Sequence, residues 1–241
     1  MAQTHIQTDV GNLPAGARDE TRKLSQTDNA YACLKSMIIS GEIGPADHID
    51  ANKLVDALGF GRTPVREALL RLQTEGIVRV VPKRGVQIVT LSADDMMEIY
   101  QVVSAVEIEA VRLLTMTGPS ADQLASLTDA NERMIKAAQT DEREEWILAD
   151  EDLHRALLEL NPNQRLRDVG FLHRDLAQRA HFVALRLLRT EQLMKSARQH
   201  KKLIKLIKTG DAAAVASHQL QRDRGANMLV DILRQYRLTQ L

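Results

Sequence analysis

Helical spacing of apolar residues begins late in this chain. Residues 1–26 are polar, rich in Thr, Gln and Asp, and without apolar periodicity, which predicts a disordered arm. From about Asn29 to Ser40 the apolar positions Tyr31, Leu34 and Ile38 fall on one helical face, and Gly41 follows as a stop. A loop through Gly44 and Pro45 leads to Asp50, a natural N-cap, and a short helix carrying Leu54, Val55 and Leu58 up to Gly59. A third helix opens near Thr63-Pro64, where proline's missing N–H costs nothing, and carries the stripe Val65, Ala68, Leu69 and Leu72 before Gly76. Two β-rich stretches, 77–81 and 86–89, are joined by Pro82-Lys83-Arg84-Gly85, which predicts a hairpin with a basic tip.

Beyond Ser92 only the helical period remains. A long amphipathic stretch over 94–117 is broken by Gly118-Pro119, a second helix runs to about Ala138, and a third spans 141–160. Past Asn161-Pro162 three more run over roughly 163–189, 191–208 and 211–237. The expected fold class is therefore mainly α. A winged helix-turn-helix over 27–91, three helices plus a β-hairpin wing, precedes an all-α antiparallel helical bundle over 92–241. The junction near residue 91 is short, so the two units should hold a fixed or narrowly hinged relation.

Composition supports that reading. Apolar residues make up 44% of the chain, enough for a core without staples, and aromatics only 3%, which favours helix-on-helix packing. Cys33 is the single cysteine and cannot form an internal disulfide, which suits the reducing cytoplasm. No apolar run approaches the roughly 18 residues of a membrane span, and the first residues lack the apolar core of a secretion signal, so no membrane partner is expected. Net charge is zero, yet between Arg62 and Arg84 six basic residues face two acidic ones, a local net of +4. A nucleic-acid binder needs a basic face rather than a basic chain.

The residues of this stretch carry a resemblance. Ile38-Ile39-Ser40-Gly41-Glu42-Ile43-Gly44-Pro45, then Gly61-Arg62-Thr63-Pro64-Val65-Arg66-Glu67-Ala68-Leu69-Leu70-Arg71-Leu72-Gln73-Thr74-Glu75-Gly76, resemble the DNA-binding domain of the GntR family of regulators. Arg62 and Arg66 share one face at the N-terminal end of the third helix, the part that enters a major groove, and arginine reads guanine bidentately. Thr63 and the helix amides suit phosphate contacts, Arg84-Gly85 would approach DNA from the wing tip, and Asn52 completes the expected contact set. The resemblance implies a homodimer on an inverted-repeat site in double-stranded DNA. Two departures, Gly61 where the family has Ser or Thr and Ala46 where it often has Gly, weaken a cap and alter a turn without removing a base-reading group.

Residues 92–237 resemble the helical FCD domain of the FadR-type branch, in its shorter, VanR-like form. Asp150-Glu151-Asp152-Leu153-His154 is similar to the family's D-x-x-F-H, and His200 and His218 follow on later helices. The resemblance implies that Asp150, His154, His200 and His218 converge on one divalent metal, zinc by preference, with nickel or manganese as alternatives. Asp150 and His154, four apart, share a helix face. His5, His48, His173 and His181 have no matching partner in the pattern and are read as non-ligands.

Many family members carry an arginine in the first helix of this domain that can clamp an organic acid; here Val103 stands at that position. A carboxylate effector would need another cation, and Arg112, Arg133, Arg179 and Arg186 are the candidates. The leading expectation is a metabolite-controlled repressor without catalytic residues. Two alternatives stay open: a constitutive repressor with a purely structural metal, and a metalloenzyme using the open coordination positions.

Overall fold

The computed structural model describes residues 25–43, 48–81 and 85–236. The arm, the Pro45-Ala46 turn and Arg84 at the wing tip lie outside the described residues. Helix α1 spans Gln26–Ile39, opening three residues before the apolar periodicity does. The reason is a capping box: the Ser25 hydroxyl accepts from the Asp28 N–H, and the Asp28 carboxylate accepts from the Ser25 N–H. Helix α2, Ala51–Leu58, is capped by Asp50, whose carboxylate accepts from the Asn52 N–H at 2.8 Å, and Gly59 ends it at φ 70°. Helix α3, Arg62–Thr74, starts from Gly61 with no side-chain cap.

The wing is a three-stranded sheet rather than a bare hairpin. Strands β2, Val78–Val81, and β3, Gly85–Ile88, pair antiparallel, and the two-residue β1, His48–Ile49, pairs with the other edge of β3. Gly85 makes that third strand possible. Its φ is +90°, and a Cβ there would lie 2.5 Å from the Ile49 carbonyl oxygen. Leu34, Ile38, Val65, Leu72, Val78 and Ile88 fill the core beneath these helices and strands.

Six helices follow: α4 Ala93–Thr117, α5 Ala121–Thr140, α6 Arg143–Glu159, α7 Gln164–Arg186, α8 Thr190–Lys208 and α9 Ala213–Gln235. Ser92 and Ser120 open α4 and α5 with capping boxes closed by Asp95 and Gln123. Helix α4 packs against α7 and α9, and α5 against α6 and α8, around Met96, Leu114, Leu127, Met134, Trp146 and Leu157.

The two units meet where α1 touches α7. Leu176 packs on the N-terminal core, and Asp175 binds Lys35 of α1 at 2.5 Å and Arg155 of α6. Lys35 also reaches Glu75, the C-cap of α3, at 3.1 Å and the Tyr31 hydroxyl at 2.6 Å. Burial alone would depress the Lys35 pKa, but Asp175 and Tyr31 outweigh it and raise it.

Candidate functional site

Helix α3 buries Val65, Ala68, Leu69 and Leu72 and turns Arg62, Thr63 and Arg66 to solvent. Arg62 and Arg66 form no ion pair with any described residue. The other described arginines nearby are engaged. Arg71 lies 3.8 Å above the Tyr31 ring and reaches Asp28 and Glu75, and Arg79 donates to Gln87. Of the basic cluster read from the sequence, the two arginines at the start of α3 are thus the described ones left uncommitted. Without a side-chain cap at Gly61, the first amides of α3 also remain open to an anion. Asn52 is exposed on α2. Gly85 has a reason within the fold, its passage under Ile49, besides any approach to DNA.

The second site lies inside the bundle. Asp150 and His154 on α6 and His200 on α8 are buried and each offers a ligand atom within 4.8 Å of the others. The His154 and His200 rings meet edge to face, 5.1 Å between centroids. His218 on α9 is fully buried but stands a step back, its ring 6.3 Å from that of His154 and its Nε2 3.4 Å from Glu107 Oε2. Burial lowers the His218 pKa, and burial together with His154 brings His200 down to about 3. Burial works to raise Asp150, yet His154, His181 and His200 hold its carboxyl below the usual range. Neutral imidazoles and an ionised carboxylate are the donor forms a divalent cation takes.

That donor set passes a further test. His200 Nδ1 and both ring nitrogens of His218 are sealed from solvent with no hydrogen-bond partner among the described residues. His154 Nδ1 is 3.0 Å from Glu107 Oε2 but poorly aligned for a hydrogen bond. Each orphaned buried nitrogen costs about 1–3 kcal/mol, a cost a coordinated cation removes for the one nitrogen a ring gives it. Asp150, His154 and His200 could hold such a cation as they stand, and His218 lies outside that group with its Nε2 toward Glu107.

A cavity of about 200 Å³ opens beside these residues, with Tyr100, His181 and Arg222 also in its wall. His181, which the sequence pattern left without a partner, has two. Its Nε2 is 3.4 Å from Asp150 Oδ2, and its Nδ1 3.2 Å from the Tyr100 hydroxyl. A layer of buried charge backs the site. Arg174 of α7 binds Glu107 at 2.7 Å and Glu151, and Glu151 binds Arg155 at 2.8 Å. Burial would raise Glu107, but Arg222, His154 and Arg174 hold it well below the ordinary carboxylate range.

Three of the four arginines expected to meet an effector stand elsewhere. Arg112 pairs with Glu109, Arg133 with Glu145 and Asp152, and Arg186 with Glu144, all on outer faces; none of the three lines the cavity. The side chain of Arg179 lies outside the described residues. The buried arginines, Arg174 and Arg222, escaped the sequence reading. The signal for Arg222 was present: it lies four residues after His218, on the same face of α9. Val103 is buried and shares a small space with Arg222, Arg174 and His181.

A helix-turn-helix unit with uncommitted arginines, followed by a helical bundle with an internal histidine centre, is the architecture of a DNA-binding regulator. Residues 26–88 match the model of the bacterial regulatory proteins of the gntR family, and residues 98–221 match the FCD domain. The chain is 35% identical over 144 residues to an uncharacterized HTH-type transcriptional regulator in the TAR-I ttuE-ttuC' intergenic region of Agrobacterium vitis, covering 59% of this chain and 84% of that protein. It is 28% identical over 198 residues to the HTH-type transcriptional repressor GlaR of Escherichia coli, covering 77% and 86%. The fold is similar to that of E. coli McbR/YncC, with a TM-score of 0.74 at 21% identity over 89% of this chain and 100% of that one. The protein belongs to the GntR family and carries an FCD domain; it is a transcriptional regulator, not an enzyme.

Proposed function

We propose that this regulator is a cytoplasmic, homodimeric repressor whose grip on an inverted-repeat operator is set by a small carboxylate bound beside a divalent metal. The observation that carries this reading is the cavity walled by Asp150, His154 and His200, whose ligand atoms are gathered as a cation requires. The name of the similar E. coli protein, a repressor, supports the direction of control. Arg62 and Arg66 read the operator and Thr63 holds its phosphates, with Asn52, Arg84 and Gly85 in supporting contacts. Asp150, His154, His200 and His218 hold the metal, zinc by preference, and bound there it supplies Lewis-acid positions for an oxygen ligand. Tyr100 and His181 fix the Asp150 carboxylate from behind.

Operator binding by wild type and by Arg62→Ala/Arg66→Ala tests the reading end. Each lost bidentate contact should cost about 1–3 kcal/mol of discrimination. A double variant that still told operator from random DNA would sink the assignment. Melting of zinc-loaded and chelated protein with small organic acids tests the sensing end. Because the donors come from three helices, a purely structural metal is the second reading. It gains if zinc raises the melting temperature and no acid adds to it.

A further inference from the structure

Resting on that reading, we infer that Arg222 receives the anionic end of the effector and makes the cavity selective for carboxylates over their uncharged counterparts. Arg222 is buried, 8% exposed, and lines the cavity together with Asp150, His154 and His200. Its described contacts are made by Nε alone: 3.4 Å to the Ser104 hydroxyl and 3.4 Å to Glu107 Oε2. The two terminal nitrogens have no hydrogen-bond partner among the described residues. Arg174 binds Glu107 Oε1 at 2.7 Å, a closer contact than Arg222 makes to that carboxylate. A largely buried guanidinium whose terminal nitrogens meet no described protein acceptor presents its planar fork to the cavity, and the fork is the shape that grips a carboxylate with two parallel hydrogen bonds.

The charge count points the same way. Around the cavity and its backing, the buried carboxylates Glu107, Asp150 and Glu151 face the buried guanidiniums Arg174 and Arg222. Asp175, also buried, is taken by Lys35 and Arg155 at the junction of the two units. Glu151 is also met by Arg155 at 2.8 Å, so Glu107, Glu151 and Asp175 are matched by Arg174, Arg155 and Lys35, which leaves Asp150 to face a metal and Arg222 as the cation left over. A carboxylate at Arg222 offsets part of the positive charge a dication would add, in a place where net charge is expensive. Among the other wall residues, Gln192, Ser196, Gln199 and Gln221 can donate or accept but cannot neutralise, and the cations Lys195 and Arg224 are exposed. At about 200 Å³ the space is below the roughly 300–1,000 Å³ of drug-sized sites, which limits the occupant to a compact acid of a few carbons.

The test is calorimetric titration of the full-length, zinc-loaded protein with acetate, lactate, succinate and citrate, and with lactamide and succinamide as uncharged counterparts. Zinc content is measured separately on every variant. Wild type should bind at least one acid and reject its amide. Arg222→Gln should keep its zinc and lose about 10–100-fold in acid affinity, the range for charge-assisted hydrogen bonds. Arg222→Lys, which keeps the charge without the fork, should fall between. An Arg222→Gln protein that melts cooperatively, holds zinc and binds acid as wild type does overturns the role of Arg222 and leaves the effector reading standing. If Arg222→Gln does not fold, undiminished binding by Arg222→Lys overturns it instead. A wild type that takes none of the acids overturns the effector reading and this inference together.

Discussion

His200 is a buried imidazole whose pKa, lowered by burial and by His154, lies at about 3 in the folded chain, against about 6.5 when unfolded. The folded state refuses protons that the unfolded state accepts. In metal-free protein the stability this group contributes is therefore complete above about pH 6.5 and lost progressively as pH falls toward the folded value. We expect the melting temperature of chelated protein to drop between pH 7 and 5, and His200→Gln to flatten that slope. A melting temperature indifferent to pH over this span would contradict the buried, neutral state of His200. At this scale Asp150, His154, His200 and His218 were legible because spacing and resemblance mark them. Glu107, Arg174 and Arg222 were not. Periodicity assigns charged residues to the surface, and only packing shows that three of them face inward around the histidines.

Among the elements, the helices were legible almost throughout because their apolar stripes are long and their stops are Gly and Pro. The start of α1 was misjudged by three residues, since Ser25 and Asp28 define it with polar atoms that leave no apolar trace. Strand β1 was missed because two residues carry no period, and its presence depends on a partner 37 or more positions away. That strand makes a prediction about Gly85. Alanine there would place a Cβ 2.5 Å from the Ile49 carbonyl in a backbone region that L-residues avoid. Gly85→Ala should destabilise the protein by about 1–3 kcal/mol in urea unfolding, the usual range for a disfavoured backbone conformation. An unchanged midpoint would mean that β1 peels away freely. At the opening of α4, Ser92→Ala should cost about 1 kcal/mol, the typical worth of an N-cap, read in the same assay.

Across the whole molecule, a continuous series of ion pairs joins the histidine centre to the C-terminal end of the reading helix. It runs from Glu107 through Arg174, Glu151, Arg155, Asp175 and Lys35 to Glu75. Sequence could propose a tight junction from the short connection at residue 91, but not these partners, which come from α1, α3, α4, α6 and α7. If effector occupancy reaches DNA through this series, Lys35→Met should shrink the effector-induced change in operator affinity, typically 5–150-fold for allosteric coupling, toward onefold. Operator affinity without effector and zinc content should stay near wild type, because Lys35 touches neither site. A full response in Lys35→Met, measured by operator titration with and without acid, would show that the signal travels elsewhere.

Arg174 and Asp175 are consecutive on α7, one gripping the charged layer behind the cavity and the other gripping the DNA-binding unit. A helix sets neighbouring side chains about 100° apart and keeps that angle fixed. Helix α7 is thus an axle with two spokes in different rooms: it cannot roll to tighten one grip without loosening or dragging the other. Leu176, the next spoke, rests half-buried against the core of the DNA-binding unit and would drag on it in any such turn.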